Sequence, residues 1–593
     1  MENNGSKNKK AEFLPHLIIL AAFCFLLSQT WLKWGNLIID TGRELWLPGE
    51  LLKGKILYKN IIYFYGFLPP YLIAGLYKIF GINVNTLVYT GVAVTLIVSF
   101  TIYRIARFFL GTLLSTTLAI NFLFVMAFAN YGDNGLSNFI LPYSFASTFF
   151  MMFTALSLYF FLKFIFFGNK NNLVIWAILL AAACLSRPES ALAVWPGFAV
   201  SGFVWAMRKP KAELLKISGY LLLPLLLTIL SYWLFFSLTG AYPDFQKSFM
   251  ANVVCCRNSI ITKKASGLSN IPASISRICV SSVLNIVIFV SLGVICRMSA
   301  LRGNTKPAIK IGLPLLAAFI FFIALKQSSL RLLQYYCLTL VLIAGTIGYF
   351  LQALPRARTL RSLGLLALFS TSLLASCRIF LNTAPFNYGF FLLTLPLICY
   401  YVFFGGIVRS ALEKDFKIPE GLLSMTMASF LMLMIIPFWK YSDSAYKHHT
   451  LSVATPRGKL YCDNSVQSTI FWQTVVYLKK NTPQNSTVVV FPEGVGINFF
   501  AERDIPVKHD SYTLPEIAPF GEKKIVEEMK TADIDYVIII SRDPTAWEAA
   551  SFGVDYAKKI RAWIDANYIP IKQFGDMPYT SETAVGALIL KKK

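Results

Sequence analysis

The sequence predicts a polytopic α-helical membrane protein with a soluble α/β domain at its C-terminal end. Three observations carry this reading. Of 593 residues, 56% are hydrophobic and only 14% charged, a balance that a water-soluble chain of this length does not show. Apolar stretches of about 20 residues, the length that crosses a bilayer core, recur about thirteen times before residue 438. After Trp439 the composition turns to that of an ordinary soluble domain.

The spans read off the sequence are residues 13–31, 84–103, 111–130, 142–166, 173–186, 190–206, 217–238, 276–296, 311–325, 332–351, 362–381, 390–408 and 421–438. The first is too long and too aromatic for a signal-peptide core, and no small-residue cleavage site follows it. The net charge of +25 does not mark a nucleic-acid binder. Residues 439–593 carry 19 Lys/Arg and 18 Asp/Glu, so the excess lies in the membrane part, with 36 Lys/Arg and 12 Asp/Glu. Alternating the loops collects Lys7, Lys9 and Lys10, Arg104 and Arg107, Lys170, Arg208 and Lys211, Arg297 and Arg302, Arg356 and Arg361, and Arg409 and Lys417 on one side. The positive-inside rule makes that side cytoplasmic. It follows that residues 1–12 are a cytoplasmic tail, residues 13–438 a membrane domain, and residues 439–593 an extracytoplasmic domain.

Three loops on the outer side are long or polar enough to hold chemistry: residues 32–83, 131–141 and 239–275. In the first, Lys53, Lys55, Lys59 and the Pro69-Pro70 pair interrupt the apolar run, while Tyr58, Tyr63, Tyr65 and Tyr71 suit a headgroup zone. This loop is expected to lie along the membrane surface as short helices. In the C-terminal domain, residues 487–492 and 536–540 are β-branched runs suited to buried strands. They alternate with helical patterns at 465–481, 521–531 and 555–567, an order that yields a small α/β layer. The FPEGVG turn at 491–496 lacks the spacing of a P-loop or a full GxGxxG, so a nucleotide is not expected there.

Carboxylates are scarce in the membrane part, and elimination shortens the candidates. Glu2, Glu12, Glu213, Glu413, Asp415 and Glu420 fall in cytoplasmic loops, leaving Asp40, Glu44, Glu50, Asp133, Glu189 and Asp244. Asp40 sits just past the outer end of the first span, where a carboxylate is costly unless hydrated, paired or used. Glu44 lies four residues on, on the same face of a helix, but Thr41-x-x-Glu44 also matches a capping box that would make it a helix-start device. Asp133, in a Gly-Asp-Asn-Gly turn, is a third catalytic candidate. Glu50 and Asp244 read as solvated loop charges. Arg187, Arg331 and Lys263 are the candidates for holding a phosphate, with a local Arg187–Glu189 ion pair as the plainer alternative for the first and headgroup anchoring for the other two. His448 and His449 have no third metal ligand at a familiar spacing, and His16 and His509 are isolated; a divalent metal is compatible with the chain, and no cofactor is implied. Of the cysteines, Cys255, Cys256 and Cys462 fall in outer segments, where free thiols are expected over a disulfide.

Residues 40–81, DTGRELWLPGELLKGKILYKNIIYFYGFLPPYLIAGLYKIFG, resemble the first outer loop of the C-type (GT-C) glycosyltransferase superfamily. The matching parts are an acid soon after the first helix, the LLKGKxLY element, the Tyr-Gly-x-Leu-Pro-Pro segment and the Leu-Tyr-Lys-Ile-Phe-Gly close. The branch it looks like holds the protein O-mannosyltransferase-like and aminoarabinose-transferase-like bacterial enzymes. The stretch VVVFPEGVGINFFAERDIP is similar to the outer domain of bacterial members grouped as family 39. The resemblance implies a polyprenyl-phosphate-linked sugar donor, a glycolipid, lipopolysaccharide or protein acceptor, and inversion at the anomeric carbon. It also implies a first-loop Asp as general base, a position Asp40 matches. Relatives often carry adjacent acids there, whereas Asp40 is followed by Thr41, which leaves the second carboxylate unassigned. A transporter or lipid-linked-sugar flippase is the rival class, and it would not need a soluble domain of about 150 residues. A non-catalytic scaffold is the third reading, and it predicts that Asp40 is replaceable.

Overall fold

The computed structural model describes residues 8–131, 137–208, 210–258, 260–301, 307–326, 332–353, 359–419, 421–542, 551–581 and 583–593. Helix α1 (Asn8–Thr30) leads into two helices of the first long loop, α2 (Asp40–Leu52) and α3 (Leu68–Phe80). Then come α4 (Val84–Ala106), α5 (Thr112–Phe122), which continues as a π-helical turn to Ala127, α6 (Phe145–Phe167), α7 (Asn171–Ser186), α8 (Pro188–Ala206) and α9 (Lys211–Thr239). Helices α10 (Tyr242–Asn258) and α11 (Ile260–Ser266) form the third long loop. The bundle resumes with α12 (Ile271–Leu301), α13 (Pro307–Lys326), the single turn α14 (Leu333–Tyr336), α15 (Leu338–Ala353) and α16 (Leu360–Ala375). It closes with α17 (Thr394–Val402), α18 (Arg409–Asp415), α19 (Leu422–Leu433) and α20 (Ile436–His448).

Among the described residues, nine helical segments are long and apolar enough to cross a membrane, and α5, α7 and α16 are shorter apolar helices. Each of the thirteen expected spans coincides with a helix or a run of helices. Helices are the physical outcome of such sequences because a backbone in hydrocarbon must satisfy its own hydrogen bonds. Hydroxyls within them follow the same rule: Thr90, Thr95 and Ser99 each bond the carbonyl four residues back, at 2.7–2.8 Å. Amides meet aromatic hydroxyls across helices. Asn121 bonds Gln334 and Tyr401 and accepts from Tyr335, and Tyr400 donates to Asn285 at 2.7 Å.

Hydrogen bonds between loops show which helix ends lie together. Lys170 pairs with Glu213 at 3.0 Å, Arg361 donates to the Phe109 carbonyl at 3.0 Å, and Arg297 donates to the Lys417 carbonyl at 3.2 Å. All of these belong to the loops that charge alternation puts on one side. Gly66 N–H bonds Ser186 O at 3.0 Å, Ile62 N–H bonds Lys508 O at 3.1 Å, and Asn382 bonds Lys264 O at 3.0 Å, each joining segments that the alternation groups on the other side.

The C-terminal region begins with a hairpin, β1 (His449–Thr455) and β2 (Gly458–Asp463), followed by α21 (Val466–Asn481) and β3 (Val488–Phe491). Short helices α22 (Gly496–Ala501) and α23 (Leu514–Ile517) precede α24 (Glu522–Thr531), β4 (Tyr536–Ile540), α25 (Lys558–Asn567), β5 (Tyr568–Gly575) and β6 (Gly586–Lys592). The sheet order is β3-β4-β6-β5, with β3 and β4 parallel and the other pairs antiparallel. Strands β3 and β4 are buried along their whole length, as continuous β-branched runs require. The hairpin tip reaches back to the bundle, where Val84 N–H bonds Arg457 O at 2.8 Å at the start of α4.

Two local expectations are corrected. Thr41 and Glu44 do not form a capping box: α2 starts at Asp40, the Thr41 hydroxyl accepts from Asn36 N–H at 2.8 Å, and Glu44 points to another helix. Glu50 is not a solvated charge. It is 2% exposed and ion-paired with Lys53 and Lys55 at 2.7 and 2.6 Å, and Asp504 on Lys53 completes the charge balance at the end of α2.

Candidate active site

The first loop is tied to the C-terminal region along much of α2. Arg43 is the centre of the tie: its Nε donates to Asp510 at 2.6 Å and its Nη2 to Glu516 at 2.8 Å. Nearly three turns on, at the C-terminal end of α2, Lys53 pairs with Asp504, and Lys55 donates to the Ile505 carbonyl at 2.8 Å. Next to Arg43 in the first turn lies a backbone contact that only glycine permits. A Cβ on Gly42 would stand 2.6 Å from Gly496 N and 2.8 Å from Gly496 Cα. Gly496 of the FPEGVG turn therefore serves this docking.

This docking brings Glu493 close enough to Asp40 to be the strongest charged influence on it. Glu493 is itself buried and held by Arg542 Nε at 3.0 Å. Asp40 Oδ2 is buried and has no hydrogen-bond partner among the described residues. Burial first, and the negative charge of Glu493 second, push the Asp40 carboxyl up to about 7, against the pull of Arg43 and Arg542. A carboxyl so placed exchanges a proton near neutral pH, as a general base must.

Glu44 has a different position. Its Oε2 accepts the Phe145 backbone N–H at 3.0 Å and so serves the first turn of α6, where the Ser144 side chain makes no capping bond. Burial lifts its carboxyl to about 8. Asp133 and Arg331 lie outside the described residues. Arg187 is 1% exposed: Nε bonds Glu189 at 2.9 Å, and Nη1 bonds Tyr143 at 3.0 Å and Ser147 at 2.7 Å. Its guanidinium carbon is 4.7 Å from the Tyr65 ring centroid and 5.1 Å from that of Phe391. The ion pair with Glu189 is thus formed, and Nη2 is the nitrogen without a hydrogen bond among the described residues. Gly66, beside Tyr65, packs on the backbone of Leu185 and Ser186, so the Tyr-Gly segment seats Tyr65 on Arg187.

Aromatic rings connect Arg187 to Asp40. The Tyr143 and Tyr388 rings meet edge to face at 5.3 Å, and Tyr388 lies within electrostatic range of Asp40, Glu493 and Arg542. Tyr65 in turn is within range of Asp40, Arg187 and Arg378. Arg378 is exposed and has no ion pair among the described residues. Lys263 and Lys264, both exposed on α11, lie beside the 377–379 turn that carries Arg378, since Asn382 bonds the Lys264 carbonyl. Arg378 therefore lies toward the Tyr65 part of the site, while Glu493 and Arg542 approach Asp40 from the sheet.

Sequence reading missed Glu493, Arg542, Arg43, Asp510, Glu516, Tyr388 and Arg378. The available signal was Glu493 itself, an acid set in a glycine turn straight after a buried strand. Among the described residues no group of three or more His, Cys, Asp or Glu is arranged to hold a metal ion. Cys462 is a free thiol, and the side chains of Cys255 and Cys256 lie outside the described set.

No protein-family model and no curated protein matches the chain. Among solved structures, it is similar to the apo form of the Archaeoglobus fulgidus oligosaccharyltransferase, at 13% identity over 94% of this chain and 73% of that one, with a TM-score of 0.49. It is also similar to ArnT from Cupriavidus metallidurans bound to undecaprenyl phosphate, at 11% identity over 98% of both chains, with a TM-score of 0.46. At these identities and scores the likeness concerns overall arrangement alone.

Proposed function

We propose that the protein is a membrane glycosyltransferase that moves a sugar from a polyprenyl-phosphate carrier to an acceptor hydroxyl at the outer face of a bacterial inner membrane. The observation that carries the reading is Asp40: a buried carboxyl oxygen with no hydrogen-bond partner among the described residues, at one end of an apolar helical bundle, lifted to about 7 within electrostatic range of Arg43 and Arg542. The first-loop resemblance supports the same assignment. In this mechanism the acceptor oxygen attacks the anomeric carbon from the face opposite the phosphate, and Asp40 takes the hydroxyl proton as the bond forms. The carbon–oxygen bond to phosphate breaks, and its electron pair leaves with the phosphate. Arg378, Lys263, Arg331 and the free Nη2 of Arg187 are the groups to stabilise that charge, which favours cations over a general acid. A lipid-anchored donor explains why the reactive carboxylate stands where the bundle meets the surface loops.

The test is transfer from a panel of radiolabelled polyprenyl-phosphate sugars in membranes holding wild type or Asp40→Asn, with folded protein matched by fluorescence-detected gel filtration. Transfer by wild type and a loss of at least ~100-fold in Asp40→Asn is the expected result. Full activity in Asp40→Asn would move the base to Glu44 or Asp133. Consumption of no donor on a broad panel would favour a transporter.

A further inference from the structure

Glu493 and Arg542 each stand two residues beyond the end of a strand, β3 and β4 respectively. Those strands are parallel neighbours, with Phe491 opposite Ile539, so their carboxyl ends lie side by side, and the 3.0 Å Glu493–Arg542 bond spans them. The carboxyl edge of a parallel pair is where α/β layers present functional groups. Here that edge is docked against the first turn of α2 by the Gly42–Gly496 contact and by the two bonds of Arg43.

We propose that the reaction centre is assembled from both parts of the chain, with Glu493 and Arg542 acting as positioning residues that set the charge balance around Asp40. The proposal rests on the glycosyl-transfer reading and offers Glu493 for the second carboxylate that the first loop leaves unassigned. The groups within electrostatic range of Asp40 come from several elements. Helix α2 supplies Arg43 and Glu44, the first loop Tyr65, and the segment before α17 supplies Tyr388. The C-terminal region supplies Glu493, Glu516 and Arg542, with Asp510 behind Arg43. Of the charged members, Glu493 acts most strongly to keep the proton on Asp40, while Arg43 and Arg542 act to remove it. The two partners of one ion pair therefore push the same carboxyl in opposite directions.

That opposition separates positioning from mere support. Loss of a supporting residue lowers the amount of active enzyme at every pH. Loss of Glu493's charge instead eases ionisation of Asp40, and loss of Arg542 hinders it. The experiment is kcat/KM against pH from 5 to 9 for full-length wild type, E493Q, E493D and R542Q in lipid nanodiscs. The acid limb is expected to move down by about one pH unit in E493Q, to move up in R542Q, and to stay near wild type in E493D, which keeps the charge. A limb that D40N abolishes but E493Q and R542Q leave in place overturns this proposal alone. A limb that survives in D40N overturns the base assignment and this proposal with it. Should no sugar be transferred, infrared titration of the Asp40 carboxyl band, taken as each protein minus its D40N counterpart, reads the same displacements without substrate. Unmoved titrations there overturn the proposal.

Discussion

Replacing Gly42 with alanine tests the docking on which the site depends. The added Cβ would stand 2.6 Å from both Gly496 N and Leu37 O and 2.8 Å from Gly496 Cα. Ordinary non-bonded contact is about 3.5–4.0 Å, so the two backbones must part by roughly 1 Å. Neither side can rotate away, because the atoms met are main chain. Overpacking of this kind costs about 1–3 kcal/mol. Asp40 lies two residues before Gly42 and Glu493 three before Gly496, so the separation passes directly to the carboxyl pair. A misplacement of about 1 Å at reacting groups can cost 10²-fold in rate. Gly75→Ala is the control: it lies in α3 with nothing within 4 Å of its Cβ position, and helix propensity favours alanine there by about 1 kcal/mol. Sugar transfer, thermal unfolding and limited proteolysis between residues 463 and 520 are measured on both. G42A should lose most of its activity and expose the C-terminal region to protease while keeping its helical circular dichroism, and G75A should match or exceed wild-type stability. Wild-type activity and protease resistance in G42A would refute the reasoning.

The other predictions are independent of that contact. Asp40 and Glu44 rise from 3.8 and 4.5 to about 7 and about 8 on folding, so the folded chain holds extra protons between about pH 4 and 8. Stability from these groups must then fall as pH rises through that window and level off above it. Buried His509, depressed to about 4, slopes the opposite way below pH 6.5, so the check is the Tm of wild type minus that of the D40N/E44Q double variant, expected to decline from pH 5 to 8. Arg187→Lys cannot reproduce the planar fork that reaches Glu189, Tyr143 and Ser147 from one buried side chain. Each lost charge-assisted bond costs about 1.5–3 kcal/mol, and a Tm drop of several degrees should follow; an unchanged Tm would show that the network is not formed. Arg378→Ala removes an exposed cation with no ion pair among the described residues, so donor KM should rise about tenfold with Tm unchanged, as titration of the polyprenyl-phosphate sugar would show.

Much of the fold was legible because lipid leaves a chain few options. Runs such as 84–103 and 142–166 must be helical once they enter hydrocarbon. Strands β3 and β4 were legible for a similar reason, being short, β-branched and buried throughout. Strands β5 and β6 were not. Residues 568–575 are mostly exposed and contain Pro570 beside a bulge, the pattern of an edge strand whose local sequence carries little signal. The capping box failed because local geometry competes with tertiary partners. Glu44 is worth more to the buried N–H of Phe145 than to its own helix.

The candidate site divides along the same line. Asp40 could be reached by elimination, since carboxylates are few where water is scarce and each one left at a boundary needs a reason. Arg187 could be reached by its depth in the chain. What the sequence by itself determined is therefore the polytopic helical architecture, the α/β region at its C-terminal end and one candidate carboxylate, all of which follow from local composition. Only the tertiary structure decided that Glu493 and Arg542, some 450 residues and more from Asp40, come within electrostatic range of it, that Arg43 is the tie between the two parts, and that two glycines make the approach possible. Burial and Coulomb interaction depend on distance in space, and separation along the chain carries no record of it.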